Sequence, residues 1–176
     1  MTPSDLFIEL DKALHSRQSF DCGSAELNGF IQQYAARHRA AGISRTMVLP
    51  SAEVDETGKS DICCYYTLSH SEIKRETLPE RAAKRLPHYP IPVMLIAQLA
   101  VHNQCQGQGL GKVALIRSLR HCLDVNALLP SFAVIVDALE DGVQEFYKQY
   151  GFQVLCEHQG RTRLYLSMKT VEQLFA

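Results

Sequence analysis

Short apolar runs alternate with amphipathic stretches along this chain, and their periods assign the elements. Residues 6–10 read as an opening strand. Ser24 caps a helix reaching about Ala41, because Leu27, Phe30, Ile31, Tyr34 and Ala35 fall at i, i+3, i+4, i+7 and i+8 and so share one helical face. Residues 46–49 and 62–69 read as two strands joined by the polar stretch 51–60, which contains Gly58. A long loop or helix-bearing segment, 71–92, leads into the apolar run 93–101, a buried central strand. Residues 110–124 then form a helix with Leu115, Ile116, Leu119, Cys122 and Leu123 inward, and 131–137 is the next strand. Val143, Phe146, Tyr147 and Tyr150 recur at helical spacing, and Gly151 stops that helix as a C-terminal cap. Residues 152–156 and 163–168 make a final strand pair, and Thr170 caps a short terminal helix. Strands cluster in the first half and alternate with helices in the second. That predicts an α/β (α+β) fold, one mixed sheet flanked by helices.

Composition narrows the class only slightly. The 176 residues suit a single domain, 1–176, with a full hydrophobic core. No apolar run approaches the roughly 20 residues that a membrane helix needs. The first residues lack the basic and apolar regions of a signal peptide, so a cytoplasmic protein with no membrane partner is expected. The six cysteines have no paired spacing and read as small apolar residues kept reduced. His102 with Cys105, and His121 with Cys122, lack the second half of a zinc motif, so no metal is expected. The net charge of −1 excludes a wholly basic nucleic-acid binder but permits a local basic face.

The chemistry concentrates where the central strand gives way to a helix, at Gln106-Gly107-Gln108-Gly109-Leu110-Gly111-Lys112. Glycine lets backbone amides approach a ligand closely. The first turn of a helix leaves such amides unpaired at the positive end of its dipole, which makes a cradle for a pyrophosphate. A Walker A loop would need glycine at Gln106 and Ser or Thr at Val113, and a dinucleotide fingerprint would need glycine at Lys112. Both fail. The spacing that fits is Gln-x-x-Gly-x-Gly, at Gln106, Gly109 and Gly111.

This loop resembles the acetyl-coenzyme A loop of the GNAT acyltransferases, and Phe146-Tyr147-x-x-Tyr150-Gly151-Phe152 resembles the family's Phe-Tyr-x-x-x-Gly-Phe segment. The two cover residues 93–156. Phe20-Asp21-Cys22-Gly23, Leu27-Asn28-x-Phe30-Ile31, Tyr65-Tyr66-Thr67-Leu68-Ser69, Pro87-x-x-Pro90-x-Pro92 and Leu164-Tyr165-Leu166-x-Met168-Lys169 extend the resemblance over nearly the whole chain. They point to the GNAT toxins of bacterial toxin–antitoxin pairs. Two positions depart: Gln98 stands where such toxins often carry Arg, and His102 where Asp is usual.

The resemblance implies a GNAT fold with a single mixed and splayed sheet. It implies acetyl-CoA as cosubstrate, held by Leu99, Ala100, Val101, Gln106, Gly107, Gln108, Gly109, Leu110, Gly111, Lys112 and Phe146. It also implies transfer to the α-amine of aminoacyl-tRNA, a ribbon-helix-helix antitoxin and a homodimer. Two alternatives stay open. One is an acetyltransferase acting on a small amine or a protein N-terminus; the other is a non-catalytic acetyl-CoA-binding regulatory module.

Tyr147 is the candidate catalyst, since a phenol can protonate the coenzyme thiolate as it leaves, and its ordinary pKa near 10 keeps it protonated at neutral pH. Tyr150, one turn on, suits the core better. The resemblance places an oxyanion-binding amide near residues 99–101. Residues 96–101 carry only Gln98 as a polar side chain and offer no base. An α-amine, with pKa about 7.7–8.0, needs little base help, whereas a lysine amine near 10.4 does. Arg37, His38, Arg39 and Arg45 lie in a stretch with no acid between Asn28 and Ala52. Lys74, Arg75, Arg81, Lys84 and Arg85 form a second basic region interrupted by Glu72, Glu76 and Glu80. These are the candidate RNA contacts, against the alternative of a solvated face.

Overall fold

Near-continuous apolar runs are strands buried on both faces, and the two longest strands here are of that kind. In the computed structural model, which describes residues 1–176, the chain runs β1 (Ile8–Glu9), β2 (His15–Ser16), α1 (Ala25–Gly29), a π turn (Phe30–Tyr34), α2 (Ala35–Ala40), β3 (Ser44–Pro50) and β4 (Ser60–Ile73). It continues through α3 (Glu80–Ala83), β5 (Ile91–Val101), α4 (Leu110–Asn126), β6 (Ala133–Ala138), α5 (Asp141–Lys148), β7 (Gln153–His158), β8 (Arg161–Ser167) and α6 (Met168–Leu174). The sheet has eight strands in the order β1-β3-β4-β5-β6-β8-β7, with β2 on β4. β3 and β4, β6 and β8, and β7 and β8 pair antiparallel, while β5 and β6 pair parallel. The expected mixed sheet with flanking helices is present. No helix is long and apolar enough to cross a membrane.

Several boundaries move for identifiable reasons. The opening strand shrinks to two residues. The polar connection is closed by the Ser51 N–H on the Asp61 carbonyl at 2.8 Å, and β4 begins at Ser60, which pairs with His15 of β2. The segment 71–92 is shorter than expected: β4 runs on to Ile73, and a 3₁₀ turn (Arg75–Thr77) and the single turn α3 fill the rest. The terminal helix starts three residues early. Ser167, not Thr170, is its cap, with Oγ accepting from the Thr170 N–H at 3.2 Å, and Met168 is helical.

The chain forms two compact units. The first comprises residues 1–69 and 97–118, the second residues 70–96 and 119–176. In the first, Phe20, Phe30, Ile31, Val48, Ile62, Tyr65 and Ala100 form one cluster. Leu49, Cys64 and Ala114 form another, joined by Leu99, Val101 and Leu110. Successive residues of β5 thus serve opposite faces of the sheet.

In the second unit, Ile73, Leu78, Ile91, Val93, Ala133, Ile135 and Tyr165 form the core. Asp137 and Arg163 are register partners on β6 and β8. The guanidinium grips the carboxylate with Nε on Oδ1 at 2.8 Å and Nη2 on Oδ2 at 2.9 Å. The Arg163 side chain is only 8% exposed. Removing one partner of such a pair strands a buried charge. Asp137→Ala is expected to cost about 3 kcal/mol in urea unfolding, whereas a surface pair such as Arg120–Asp124 should cost under about 1 kcal/mol on the same treatment.

Candidate active site

β5 ends at Val101, and His102 carries the chain away from it. The His102 N–H donates to the Cys63 carbonyl at 2.8 Å, and its Nδ1 accepts from the Gln104 N–H at 3.1 Å, capping the 3₁₀ turn Asn103–Cys105. With Nδ1 accepting, Nε2 bears the proton and donates to the Ser19 carbonyl at 3.3 Å. The ring meets Phe20 edge-on at 5.6 Å. A histidine thus performs the capping that an aspartate would supply at this position.

Gln106, though exposed, has its side chain folded back onto the end of β5. Its Nε2 donates to the Val101 carbonyl at 3.0 Å and lies 3.3 Å from Asn103 Oδ1 and 3.4 Å from the Cys22 carbonyl. The coenzyme motif's glutamine therefore ties the loop to the end of the strand. Gly107 and Gly109 both have φ +79, a left-handed conformation that favours glycine, with nothing within 4 Å of where a Cβ would sit. The Val113 N–H bonds the Gly109 carbonyl at 3.1 Å. The amides of Leu110, Gly111 and Lys112 precede that bond at the head of a 17-residue helix, with the Lys112 side chain exposed. An open loop, unpaired amides and a cation together fit a diphosphate. Leu99, Ala100 and Val101 commit their side chains to the core, leaving only their backbone for a ligand.

The N-terminal signature braces this loop from behind, a role the sequence did not reveal. The Asp21 carbonyl accepts from the Asn103 N–H at 2.8 Å. Asp21 Oδ1 accepts from the Gly23 N–H and from Asn28 Nδ2, each at 2.9 Å, and Asn28 Oδ1 accepts from the Cys22 N–H at 2.9 Å. Those donors, the Gly23 amide first and the Asn28 amide second, hold the Asp21 carboxyl below its ordinary pKa. Gln98, the polar residue of the strand, keeps a buried carbonyl oxygen without a partner.

Tyr147 belongs to the second unit. It is 7% exposed, with its ring edge-on to Phe146 at 5.2 Å and Phe152 at 5.4 Å. Burial pushes its phenol pKa above the usual 10. The expectation that Tyr150 suits the core better is reversed: Tyr150 is half-buried against Phe146, and Tyr147 is the buried ring. Gly151 caps α5 as expected, at φ +96. The Phe152 N–H reaches the Tyr147 carbonyl at 3.4 Å, and the Gly151 N–H reaches that of Lys148 at 3.1 Å. That closure fixes the helix end, and with it the tyrosine.

The basic residues divide. Arg39 and Arg45 both bind Glu9 Oε2 through Nε, at 3.1 and 2.8 Å, so a stretch free of acid in sequence is not free of it in space. Arg37 remains exposed. Arg75 is half-buried and donates through Nε to the Leu86 carbonyl at 3.0 Å, a structural tie. Lys74, Arg81, Lys84 and Arg85 are exposed. Arg75, Arg81 and Lys84 gather round one concavity with Glu76 and Glu80. All six cysteines are free, four of them buried.

Residues 82–152 match the acetyltransferase (GNAT) family. Among solved structures, a tyrosine-to-phenylalanine mutant of KacT is 28% identical, with 92% of each chain covered and a TM-score of 0.82. AtaT complexed with acetyl-methionyl-tRNAfMet is 26% identical, covering 97% of this chain and 99% of that one, with a TM-score of 0.86. AtaTR bound with acetyl-CoA is 26% identical, covering 97% and 98%, with a TM-score of 0.80. On this fold and these likenesses residues 82–152 carry a GNAT acetyltransferase domain, and the chain is an N-acetyltransferase.

Proposed function

We propose that this chain, as one domain over residues 1–176, is a toxin that acetylates the α-amine of an aminoacyl-tRNA in the cytoplasm and so blocks translation. The observation that carries this is the full-length likeness to AtaT, whose solved complex holds acetyl-methionyl-tRNAfMet. A second consideration agrees with it. The strand residues 96–101 offer no carboxylate base, and an α-amine with a pKa of about 7.7–8.0 already has a substantial neutral fraction near pH 7.5, where a lysine amine near 10.4 has almost none.

Residues 106–112 hold the coenzyme diphosphate on their amides and on Lys112, and Phe146 is a further coenzyme contact. The amine nitrogen attacks the thioester carbonyl carbon, and a backbone N–H near residues 99–101 donates a hydrogen bond to the oxyanion. The C–S bond then breaks, Tyr147 gives its proton to the thiolate, and the new amide loses a proton to water. Solvent returns a proton to the tyrosine. The products are N-acetylaminoacyl-tRNA and coenzyme A. Arg37, with Arg39 and Arg45 beside Glu9, and the exposed Lys74, Arg81, Lys84 and Arg85 meet RNA phosphates; Arg75 supports that segment. A ribbon-helix-helix antitoxin neutralises the enzyme, which acts as a homodimer.

Added with acetyl-CoA to a reconstituted translation system, the protein is expected to stop peptide synthesis. Undiminished synthesis in the presence of protein shown to bind acetyl-CoA would contradict the proposal.

A further inference from the structure

Helical periodicity puts Tyr34 on the inner face with Phe30, Ile31 and Ala35. Those three are buried, yet Tyr34 is 46% exposed. The cause lies in the backbone. Residues Phe30–Tyr34 form a π turn, closed by the Ala35 N–H on the Phe30 carbonyl. The extra residue shifts the buried stripe from the i+4 position to i+5, so Ala35 takes the inner place and Tyr34 is turned out.

This turn is anchored on several sides. The Gln32 carbonyl accepts from Arg17 Nη1 at 3.5 Å and Gln18 Nε2 at 3.4 Å. Gln32 Nε2 donates in turn to the Phe20 carbonyl at 3.0 Å and to that of Gln18 at 3.4 Å.

The exposed ring is the outer member of an aromatic series that begins in the core. Tyr65 lies under Phe30 at 6.3 Å, nearly parallel. Phe30 meets His38 edge-on at 5.6 Å, and His38 meets Tyr34 at 6.1 Å. Two guanidinium groups belong to this region. Arg37 follows on the same helix and makes no ion pair, Arg17 sits on the π turn, and no acid occurs in sequence between Asn28 and Ala52. Of the two carboxylates that line the hollow beside this helix, Glu9 and Asp11, Glu9 is taken up by Arg39 and Arg45.

We infer that Tyr34, backed by His38 and flanked by Arg37, is a stacking platform for an unpaired base in the single-stranded 3′ end of the acceptor RNA. This rests on aminoacyl-tRNA being the acceptor. A planar ring offered at the surface with the exposed Arg37 three residues on along the helix suits a base and its phosphate, and every base has a face to stack. Such a platform adds affinity without strict sequence preference. It positions the acceptor and takes no part in bond making.

The test is kinetic and spectroscopic. With Tyr34→Ala, KM for aminoacyl-tRNA should rise about 10-fold. Meanwhile kcat and KM for acetyl-CoA should stay within about 2-fold, because only uniform acceptor binding is lost. Tyr34→Phe should behave as wild type. The chain contains no tryptophan, so Tyr34→Trp installs a single reporter. A short single-stranded RNA ending in CCA should quench its emission, and a blunt RNA duplex at the same concentration should not. An unchanged KM in Tyr34→Ala overturns the platform, as does emission that the single strand leaves untouched or that the duplex quenches equally. Wild-type protein that transfers no acetyl to aminoacyl-tRNA overturns the acceptor itself, a separate result obtained before any variant is compared.

Discussion

Tyr147→Phe should lower kcat for acetyl transfer by about 10²-fold or more, with KM for acetyl-CoA changed by less than about 2-fold. The ring sits against Phe146 and Phe152, and phenylalanine preserves both contacts, so the melting temperature should hold. What disappears is one proton donor. A tyrosine that served only as core would leave turnover intact, since phenylalanine keeps both of its ring contacts.

The pH profile adds a second discriminator. Burial raises the phenol's pKa, so the acid form persists to higher pH than in free tyrosine. The wild-type kcat/KM should therefore rise as the acceptor amine loses its proton and show no alkaline fall below about pH 10. The phenylalanine variant should keep the rising limb at a much lower level. An alkaline fall near pH 8 in the wild type would mean that some other group is the acid.

Gly109→Ala should raise KM for acetyl-CoA about 10-fold or more while leaving kcat at saturating coenzyme within about 3-fold. A Cβ at this position meets nothing within 4 Å, so a clash is not the reason. The reason is the backbone: φ is +79, and a left-handed conformation costs an alanine roughly 1–2 kcal/mol. The loop can relieve that strain by rotating, which turns away the amides at the head of α4. Gly58, in the loop before β4, is the control, since its φ of +80 and open surroundings make the strain equivalent. Gly58→Ala should lose similar stability in denaturant unfolding with KM for acetyl-CoA unchanged. Equal effects of the two substitutions on KM would show that general destabilisation, not loop geometry, sets coenzyme affinity.

How much of this was legible in the sequence depended on the range of the interactions involved. The central strand, the glycine loop and the Gly151 cap are local, each written into a few consecutive residues, and each appears where expected. The π turn was invisible because inserting one residue into a helical repeat changes neither composition nor the apparent period. It moved Tyr34 from core to surface. The Glu9 bridges to Arg39 and Arg45 span thirty or more positions, so a charge count along the chain could not reveal them. The brace of Asp21, Asn28 and Asn103 is equally non-local. Its parts stand out as a signature, but what they hold emerges only when the fold joins them. Ser167 and Thr170 are both competent caps three residues apart, and β8 decides between them by ending at Ser167. Gln106 was legible as part of a motif but not in its role, since its amide closes the strand end.

The most direct test is to incubate the purified protein with radiolabelled acetyl-CoA and a pool of aminoacylated tRNA, with Tyr147→Phe alongside. The account predicts label in acid-precipitable RNA, released by mild base as N-acetylated amino acid and nearly absent with the variant. No label in RNA, from protein shown to bind acetyl-CoA, would contradict it.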